Sequence, residues 1–298
     1  MKKYSVVFAT DENYIQHLSV ALVSLLINND NCKFDIYIIC SEMSEESFAK
    51  LKSIGNNYQS TVNQIVISDE IFDTLVTNYH FTKAMYYRLM IPNFIHEDIV
   101  LYLDADIVVN GSVKDLFNTE LGDKYIAAVL NPGFKRHEEL NMSLNVEYFN
   151  SGMMLINNKL WKRHDLTKHI IEFIDLKNNI IQFPDQDGLN AIINGNWKKI
   201  DLKFNQQAVI FEENFHSKYN CFTDNELKEA KNNPVIIHYT GSSKPWHFRN
   251  KHPYKHLYWR YLKMTPFKRY IPEDLTVINV IKWMIPRSIK EFIKGLKK

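Results

Sequence analysis

Glycine is scarce in this chain, nine residues in 298, and nowhere do they fall into GxGxxG or GxxxxGK[ST]. A glycine nest that wraps a pyrophosphate in backbone N–H groups is therefore excluded. If a nucleotide diphosphate binds, side chains and a metal must neutralise it. Cysteine is scarcer still: Cys32, Cys40 and Cys221 are odd in number and show no CxxC spacing. That pattern argues against a disulfide framework or a thiolate zinc site and fits a reducing, cytoplasmic location. No run of 18 apolar residues occurs, so no segment reads as a membrane span. The opening MKKYSVVFATDENY meets Asp11 and Glu12 before an apolar run of signal-peptide length can form.

No strong excess of charge is present either, with a net of +2, but the distribution is uneven. Residues 266–298 hold eight Lys/Arg against Glu273, Asp274 and Glu291, which leaves −3 for the rest. A weakly acidic body is a poor nucleic-acid binder, so no nucleic-acid partner is expected, and the basic end needs its own explanation.

What is present is an ordinary globular composition, 45% hydrophobic and 23% charged. Strand-like runs at 4–9, 34–40 and 62–67 alternate with helical patterns at about 14–28 and 44–54, the spacing of βαβ units. Further strands are expected at 99–103, 125–130, 153–157 and 235–239, with helices near 82–90, 159–178 and 186–195. The class is α/β with a mixed, mostly parallel sheet. Ligands in such sheets gather at the carboxyl ends of strands, where Asp11, Asp104, Asp106 and His238 fall.

The segment LYLDADIVV, 101–109, reads as a strand that runs into Asp104 and Asp106. At period two both carboxylates point to one side, and like charges so placed raise each other's pKa unless a cation lies between them. A hard divalent metal is the first expectation, and a solvated strand-to-turn boundary the bland alternative. Four other stretches are too polar for their positions. FATDENY, 8–14, ends a strand with Asp11, Asn13 and Tyr14, hydrogen-bonding groups and a flat ring for a base, although Asp11 also suits a helix N-cap. EYFNSGMMLIN, 147–157, sets Asn150, Ser151 and Gly152 before an apolar strand, where Gly152 would admit a ligand close to the backbone. FPDQDGLNAI, 183–192, opens a helix with Pro184, Asp185, Gln186 and Asp187. VIIHYTGSSKPWH, 235–247, ends a strand on His238 and turns through Gly241 to Lys244. His238 is the natural third metal ligand, and an imidazole favours Mn²⁺ over Mg²⁺.

In this order, FATDENY, TKAMYYRLMIP, LYLDADIVV, YFNSGMMLIN, LWKRHDL, PDQDGLNAI and HYTGSSKPWH resemble the family-8 glycosyltransferases. These are retaining enzymes that include bacterial lipooligosaccharide galactosyl- and glucosyltransferases and glycogenin. The resemblance covers about residues 4–250 and implies a GT-A, Rossmann-like nucleotide-sugar-binding fold, a UDP-hexose donor and Mn²⁺, with Mg²⁺ as the second option. Position by position it makes Asp104, Asp106 and His238 the metal ligands. It places Ala9, Asp11, Asn13 and Tyr14 around uracil and ribose, and Gly241 and Lys244 on the diphosphate. Arg88, Asn150, Asp185 and Gln186 surround the donor sugar, with Asp185 and Gln186 at the reaction centre. Pro184 departs from the QDQD of many bacterial galactosyltransferases of this type, which leaves galactose and glucose both open as the donor sugar. The acceptor implied is a glycan or glycolipid hydroxyl.

Two other classes fit parts of the sequence. DADIV matches the DxDx[TV] pattern of haloacid-dehalogenase-type phosphotransferases, with Asp104 as nucleophile, but leaves HYTGSSKPWH unused. A non-catalytic sugar-nucleotide or glycan binding module would need no metal pair. The division expected is a catalytic domain over 1–250 and a basic, aromatic, amphipathic segment over 251–298. In the latter, Ile278, Ile281 and Ile285, then Ile289, Phe292, Ile293 and Leu296, recur at helical spacing. Pro286 would kink or restart the helix, and Lys290, Lys294 and Lys297 lie off the apolar stripe. With Trp283 and Phe292 on the apolar side, residues 266–298 read as amphipathic helices that dock on an anionic membrane surface, the inner face of the cytoplasmic membrane.

Overall fold

The computed structural model describes residues 3–75 and 82–285. Ten strands are present among them: β1 Lys3–Ala9, β2 Lys33–Cys40, β3 Thr61–Val66, β4 Ile99–Leu103, β5 Ile107–Val109, β6 Ile126–Leu130, β7 Phe149–Asn157, β8 Trp197–Lys199, β9 Gln206–Gln207 and β10 Ile236–His238. Seven form the central sheet in the order β3-β2-β1-β4-β7-β6-β8, and β5-β10-β9 form a small second sheet. Strands β3, β2, β1 and β4 run parallel, β7 is antiparallel to β4 and β6, and β8 is parallel to β6. The mixed, mostly parallel sheet expected from the alternation of patterns is present.

Alternation along the strands sorts the core into two layers. Val6 and Phe8, Leu101 and Leu103, and Met153 and Leu155 face one layer with the helix Ile15–Ile27. Val7, Val100, Tyr102, Met154 and Ile156 face the other, with Trp161, Ile170, Ile174 and Leu189 from later helices. Truncating any one of these large side chains to Ala costs about 2–5 kcal/mol.

Helix boundaries follow local chemistry. The Ser44 side chain caps the helix Glu45–Asn57 by accepting from Ser47 N. The single helix expected over 159–178 is two, Asn158–Arg163 and Leu166–Leu176, because Asp165 takes a left-handed conformation (φ 47°) between them. The stretch 82–90 is a 3-10 helix, Lys83–Met90, that turns Tyr86, Tyr87 and Arg88 inward. Short β5, β8 and β9 are not visible in the sequence pattern. Two or three residues carry too little periodicity to show.

Beyond residue 250, the helix Lys255–Leu262 buries Leu257, Tyr258, Tyr261 and Leu262 in the first layer. The Tyr258 hydroxyl lies 2.7 Å from His17 Nδ1, and Asn28 Nδ2 donates to the Tyr261 hydroxyl. The Thr276 side chain caps a last described helix, Val277–Met284, whose Val277, Ile278, Ile281 and Met284 are exposed. The stretch expected after Pro286, with Ile289, Phe292, Ile293 and Leu296 on one face, and the side chain of Trp283 lie outside the described residues.

Candidate active site

The ends of β1 and β4 open one cleft, lined among others by Ala9, Asp11, Tyr14, Arg88, Asp104 and Asp106. One Asp11 oxygen accepts from Asn13 N at 3.0 Å and caps the 3-10 turn Glu12–Tyr14, so the carboxylate both starts that turn and faces the cleft. Tyr14 is partly exposed and meets Trp246 edge-on at 5.8 Å. Trp246 stacks on His17 at 3.5 Å, and burial pushes the His17 imidazole down to about 3, which leaves it a neutral ring behind the aromatic wall. Of the residues expected at the site, Asn13, Asn150, Asp185, Gln186, His238, Gly241 and Lys244 do not line the cleft itself. Gly241 has φ 85° with open space where a side chain would start, and its turn returns the chain to Lys244.

Period two is not what brings Asp104 and Asp106 together, which corrects the expectation from the strand pattern. β4 ends at Leu103, residues 104–106 turn, and β5 leaves for the second sheet. β10 pairs antiparallel with β5 and sets His238 opposite Ile107, beside Asp106. His238 Nε2 then lies 3.2 Å from Asp106 Oδ1 and 3.7 Å from Asp104 Oδ2. One ligand atom from each of the three residues falls within 4.8 Å of the others. Neighbouring ligands of an octahedral ion at about 2.1 Å stand about 3 Å apart, so little movement separates this cluster from a coordination shell. Asp106 Oδ1 is buried with no hydrogen-bond partner, the condition a cation would relieve.

Gly152 also leaves room for the cluster. A Cβ at this position would lie 2.2 Å from His238 Cε1 and 2.6 Å from Asp104 Oδ2. The space it vacates holds the cluster itself. Lys244 Nζ donates to Asp106 Oδ2 and to the Tyr239 carbonyl. Burial alone would raise the Asp106 pKa, but the Lys244 ammonium paired with it holds it well below the usual carboxylate range.

Arg88 ties this cluster to the start of the helix Pro184–Ile193. Its guanidinium is buried and lies 2.8 Å from Asp104 Oδ1 and 3.2 Å from Asp185 Oδ2, while a third nitrogen donates to the Ser151 carbonyl. Burial pulls the Arg88 pKa down, and the two carboxylates more than offset it. Burial raises the Asp185 pKa, with Arg88 opposing and Asp104 adding to the rise. Gln186 Oε1 accepts from Asn150 Nδ2 (3.1 Å) and Ser151 N (3.0 Å), and its Nε2 donates to the Tyr148 hydroxyl (3.2 Å). Below it the buried Asp187 accepts from Tyr148, Arg136 and the N–H groups of Gln182 and Phe183.

The structure brings Ala9, Asp11, Tyr14, Arg88, Asp104, Asp106, Asn150, Asp185, Gln186, His238 and Lys244, all singled out in the sequence, into one connected neighbourhood. Sequence reasoning misses Asn205, Tyr148 and Tyr102. Tyr102 donates to Asp104 Oδ1 at 2.6 Å, and Asn205 lies against His238. A signal for Asn205 did exist: Asn205, Gln206 and Gln207 are three consecutive amides, and all are buried.

The chain is similar to proteins already characterised by name. It is 29% identical over 267 residues to general stress protein A of Bacillus subtilis (strain 168), covering 87% of this chain and 93% of that protein. It is 32% identical over 255 residues to a lipopolysaccharide 1,2-glucosyltransferase of Escherichia coli, covering 82% and 73%. The crystal structure of the galactosyltransferase LgtC with donor and acceptor sugar analogues superimposes with a TM-score of 0.80 at 26% identity, covering 91% of this chain and 98% of that one. The fold is accordingly that of the GT-A-like glycosyltransferases. A family model matches residues 5–250, and the chain belongs to glycosyl transferase family 8.

Proposed function

We propose that this protein is a metal-dependent, retaining hexosyltransferase that moves galactose or glucose from the UDP-sugar to a hydroxyl of a cell-surface glycan, forming an α linkage. The observation that carries the reading is the cluster of Asp104, Asp106 and His238 beside the cleft, with Asp106 Oδ1 lacking a donor. Two carboxylates and one imidazole suit Mn²⁺ better than Mg²⁺. Held there, the ion supplies Lewis-acid stabilisation of the departing diphosphate.

The chain's own groups do the rest. Tyr14 offers its ring to the base and Asp11 its second oxygen to ribose. Lys244, now on Asp106, is the cation that meets diphosphate oxygens beside the cluster. Gln186 is an uncharged amide whose oxygen already accepts two hydrogen bonds, so it orients the sugar and does not attack. Asp185 is paired with Arg88 and accepts from Ser151 Oγ at 3.1 Å, which lowers its nucleophilicity. Both facts favour same-face attack, in which the leaving phosphate takes the acceptor proton, over double displacement through Asp185.

Family membership leaves the Asp104 phosphotransferase reading without support, and Arg88 and Tyr102 already engage the Asp104 carboxylate. The acceptor side rests on the relatives' names and on the chain's end. Among the described residues, seven of fourteen exposed large apolar side chains fall within 264–284: Met264, Ile271, Leu275, Val277, Ile278, Ile281 and Met284. Lys263, Lys268, Arg269 and Lys282 lie among them. That combination favours peripheral docking on an anionic membrane, and no described helix is long and apolar enough to cross one.

A panel of UDP-hexoses with Mn²⁺, scored for donor hydrolysis, tests the proposal without an acceptor. Release of UDP from UDP-galactose or UDP-glucose is expected. Binding without release would leave only the non-catalytic module, and turnover of other nucleotide sugars alone would overturn the donor assignment.

A further inference from the structure

We infer that Asn205 is a positioning residue that fixes the neutral His238 ring as its Nδ1–H tautomer and so presents a bare Nε2 to Asp104 and Asp106. The consequence for metal binding rests on the function proposed above; the tautomer does not.

The argument follows the direction of a buried chain of amides. A terminal amide fits its pocket either way round, and its neighbours decide which end donates. Two backbone N–H groups, which can only donate, make that decision here. Ser151 N donates to Gln186 Oε1 at 3.0 Å, and Gly152 N donates to Asn150 Oδ1 at 3.1 Å. With its oxygen so fixed, Asn150 turns its Nδ2 to Gln186 Oε1 at 3.1 Å. Asn205 must then donate its own Nδ2 to Asn150 Oδ1, at 2.8 Å, and its Oδ1 is left 3.0 Å from His238 Nδ1.

An oxygen in that place needs a proton on the ring nitrogen. A neutral imidazole has one, so Nε2 keeps its lone pair, 3.2 Å from Asp106 Oδ1 and 3.7 Å from Asp104 Oδ2. Three acceptors then converge with no donor among them, in accord with the unpartnered Asp106 Oδ1. Asn205 is fully buried and His238 nearly so, so water does not substitute for the amide at low cost. The same chain ends on Gln186, so the group that orients the imidazole also braces the amide expected under the donor sugar. Outer partners of this kind set ligand orientation in metal sites, and losing one weakens metal binding about 10–100-fold.

The test reads the ring directly. Nitrogen-15 spectra of the metal-free protein labelled at histidine are recorded above the pH at which the ring becomes neutral, with His238 assigned by its loss in His238→Gln. A protonated Nδ1 and a bare Nε2 are expected. The reverse assignment overturns the inference, and this reading needs no variant of Asn205.

Asn205→Ala should release the tautomer preference and weaken Mn²⁺ binding, followed by electron paramagnetic resonance, about 10–100-fold. An unchanged tautomer in Asn205→Ala, or Mn²⁺ binding as tight as in the unaltered protein, would mean that Asn205 only fills space. If the unaltered protein binds no Mn²⁺, the metal reading fails, while the spectra still judge the role of Asn205.

Discussion

The two halves of the site are built on opposite terms. Around Asp185 and Gln186 almost every polar atom is answered: Asp185 by Arg88 and Ser151, Gln186 by Asn150, Ser151 and Tyr148, Asp187 by four donors. Around Asp104, Asp106 and His238 the accounting is left open. Asp106 Oδ1 has no donor, and carboxylates face an imidazole across 3.2–3.7 Å. A saturated region holds its geometry before substrate arrives, and an unsaturated one is completed by what it binds. Arg88 joins the two, so the comparison can be broken from either side.

The largest effect is expected on the open side. Asp104→Asn, Asp106→Asn and His238→Ala should each lower turnover about a thousandfold or more with the fold retained, because the diphosphate charge goes uncompensated. Gly152→Ala should match them without replacing any of the three, since its Cβ would meet His238 and Asp104. Near-normal turnover in Gly152→Ala would show that the cluster tolerates being pushed apart.

Cutting the link between the halves should appear in stability. Arg88→Met leaves Asp104 and Asp185 without their shared cation, a loss of about 3–5 kcal/mol near neutral pH. The folded-state pKa of Asp185 is already raised, first by burial. A carboxyl raised in the folded state binds more protons there than in the unfolded chain, so stability falls as pH rises through that window. Removing Arg88 enlarges the rise. Denaturant midpoints of Arg88→Met should therefore recover toward the unaltered protein as pH falls to the carboxylate range, and a pH-independent deficit would contradict the pairing.

Within the saturated half the expected loss is smaller. Gln186→Ala should lower turnover less than any metal-ligand change, by about tenfold to a hundredfold, since an amide that orients is partly replaceable. Asp185→Asn should be no worse than that under same-face attack. A covalent sugar on Asp185 in the mass spectrum would instead establish double displacement.

The smallest effect on chemistry is expected at the chain's end. The body reaches further than residue 265, because Asp274 accepts from Phe248 N (2.6 Å) and Arg249 N (3.3 Å), and Phe267 and Tyr270 pack on the core. Deletion of 276–298 should leave donor hydrolysis within about twofold while weakening sedimentation with anionic vesicles, and binding of the full chain should weaken with salt. Salt-insensitive binding, or undiminished retention by the shortened chain, would remove the docking surface from that segment.

How much of this was legible in the sequence depended on range. Strands β1 to β4 are local patterns, and each turned up within a residue of its expected bounds, while the helix expected at about 44–54 runs three residues further, to Asn57. The candidate residues stood out as polar stretches at strand ends (Asp11, Asp104, Asp106, His238) and at a helix start (Asp185, Gln186), while Arg88 was proposed on the resemblance alone. The contact of Asp106 with His238 was not derivable, because it depends on β5 leaving the central sheet to pair with a strand about 130 residues later. Period two gave the right convergence for the wrong reason, since a turn and not a strand presents both carboxylates. Asn205 was hidden for a related cause. Its partners His238 and Asn150 lie 33 and 55 residues away, and no local pattern records such a bond.

The central claim is that Asp104, Asp106 and His238 hold a divalent ion for the diphosphate of a nucleotide donor. Calorimetric titration of UDP into the protein, with Mn²⁺ and then with EDTA, addresses it most directly, repeated on Asp106→Asn. The account predicts that Mn²⁺ tightens UDP binding at least tenfold in the unaltered protein and has no such effect in Asp106→Asn. Equal UDP affinity in Mn²⁺ and in EDTA, for the unaltered protein, would contradict it.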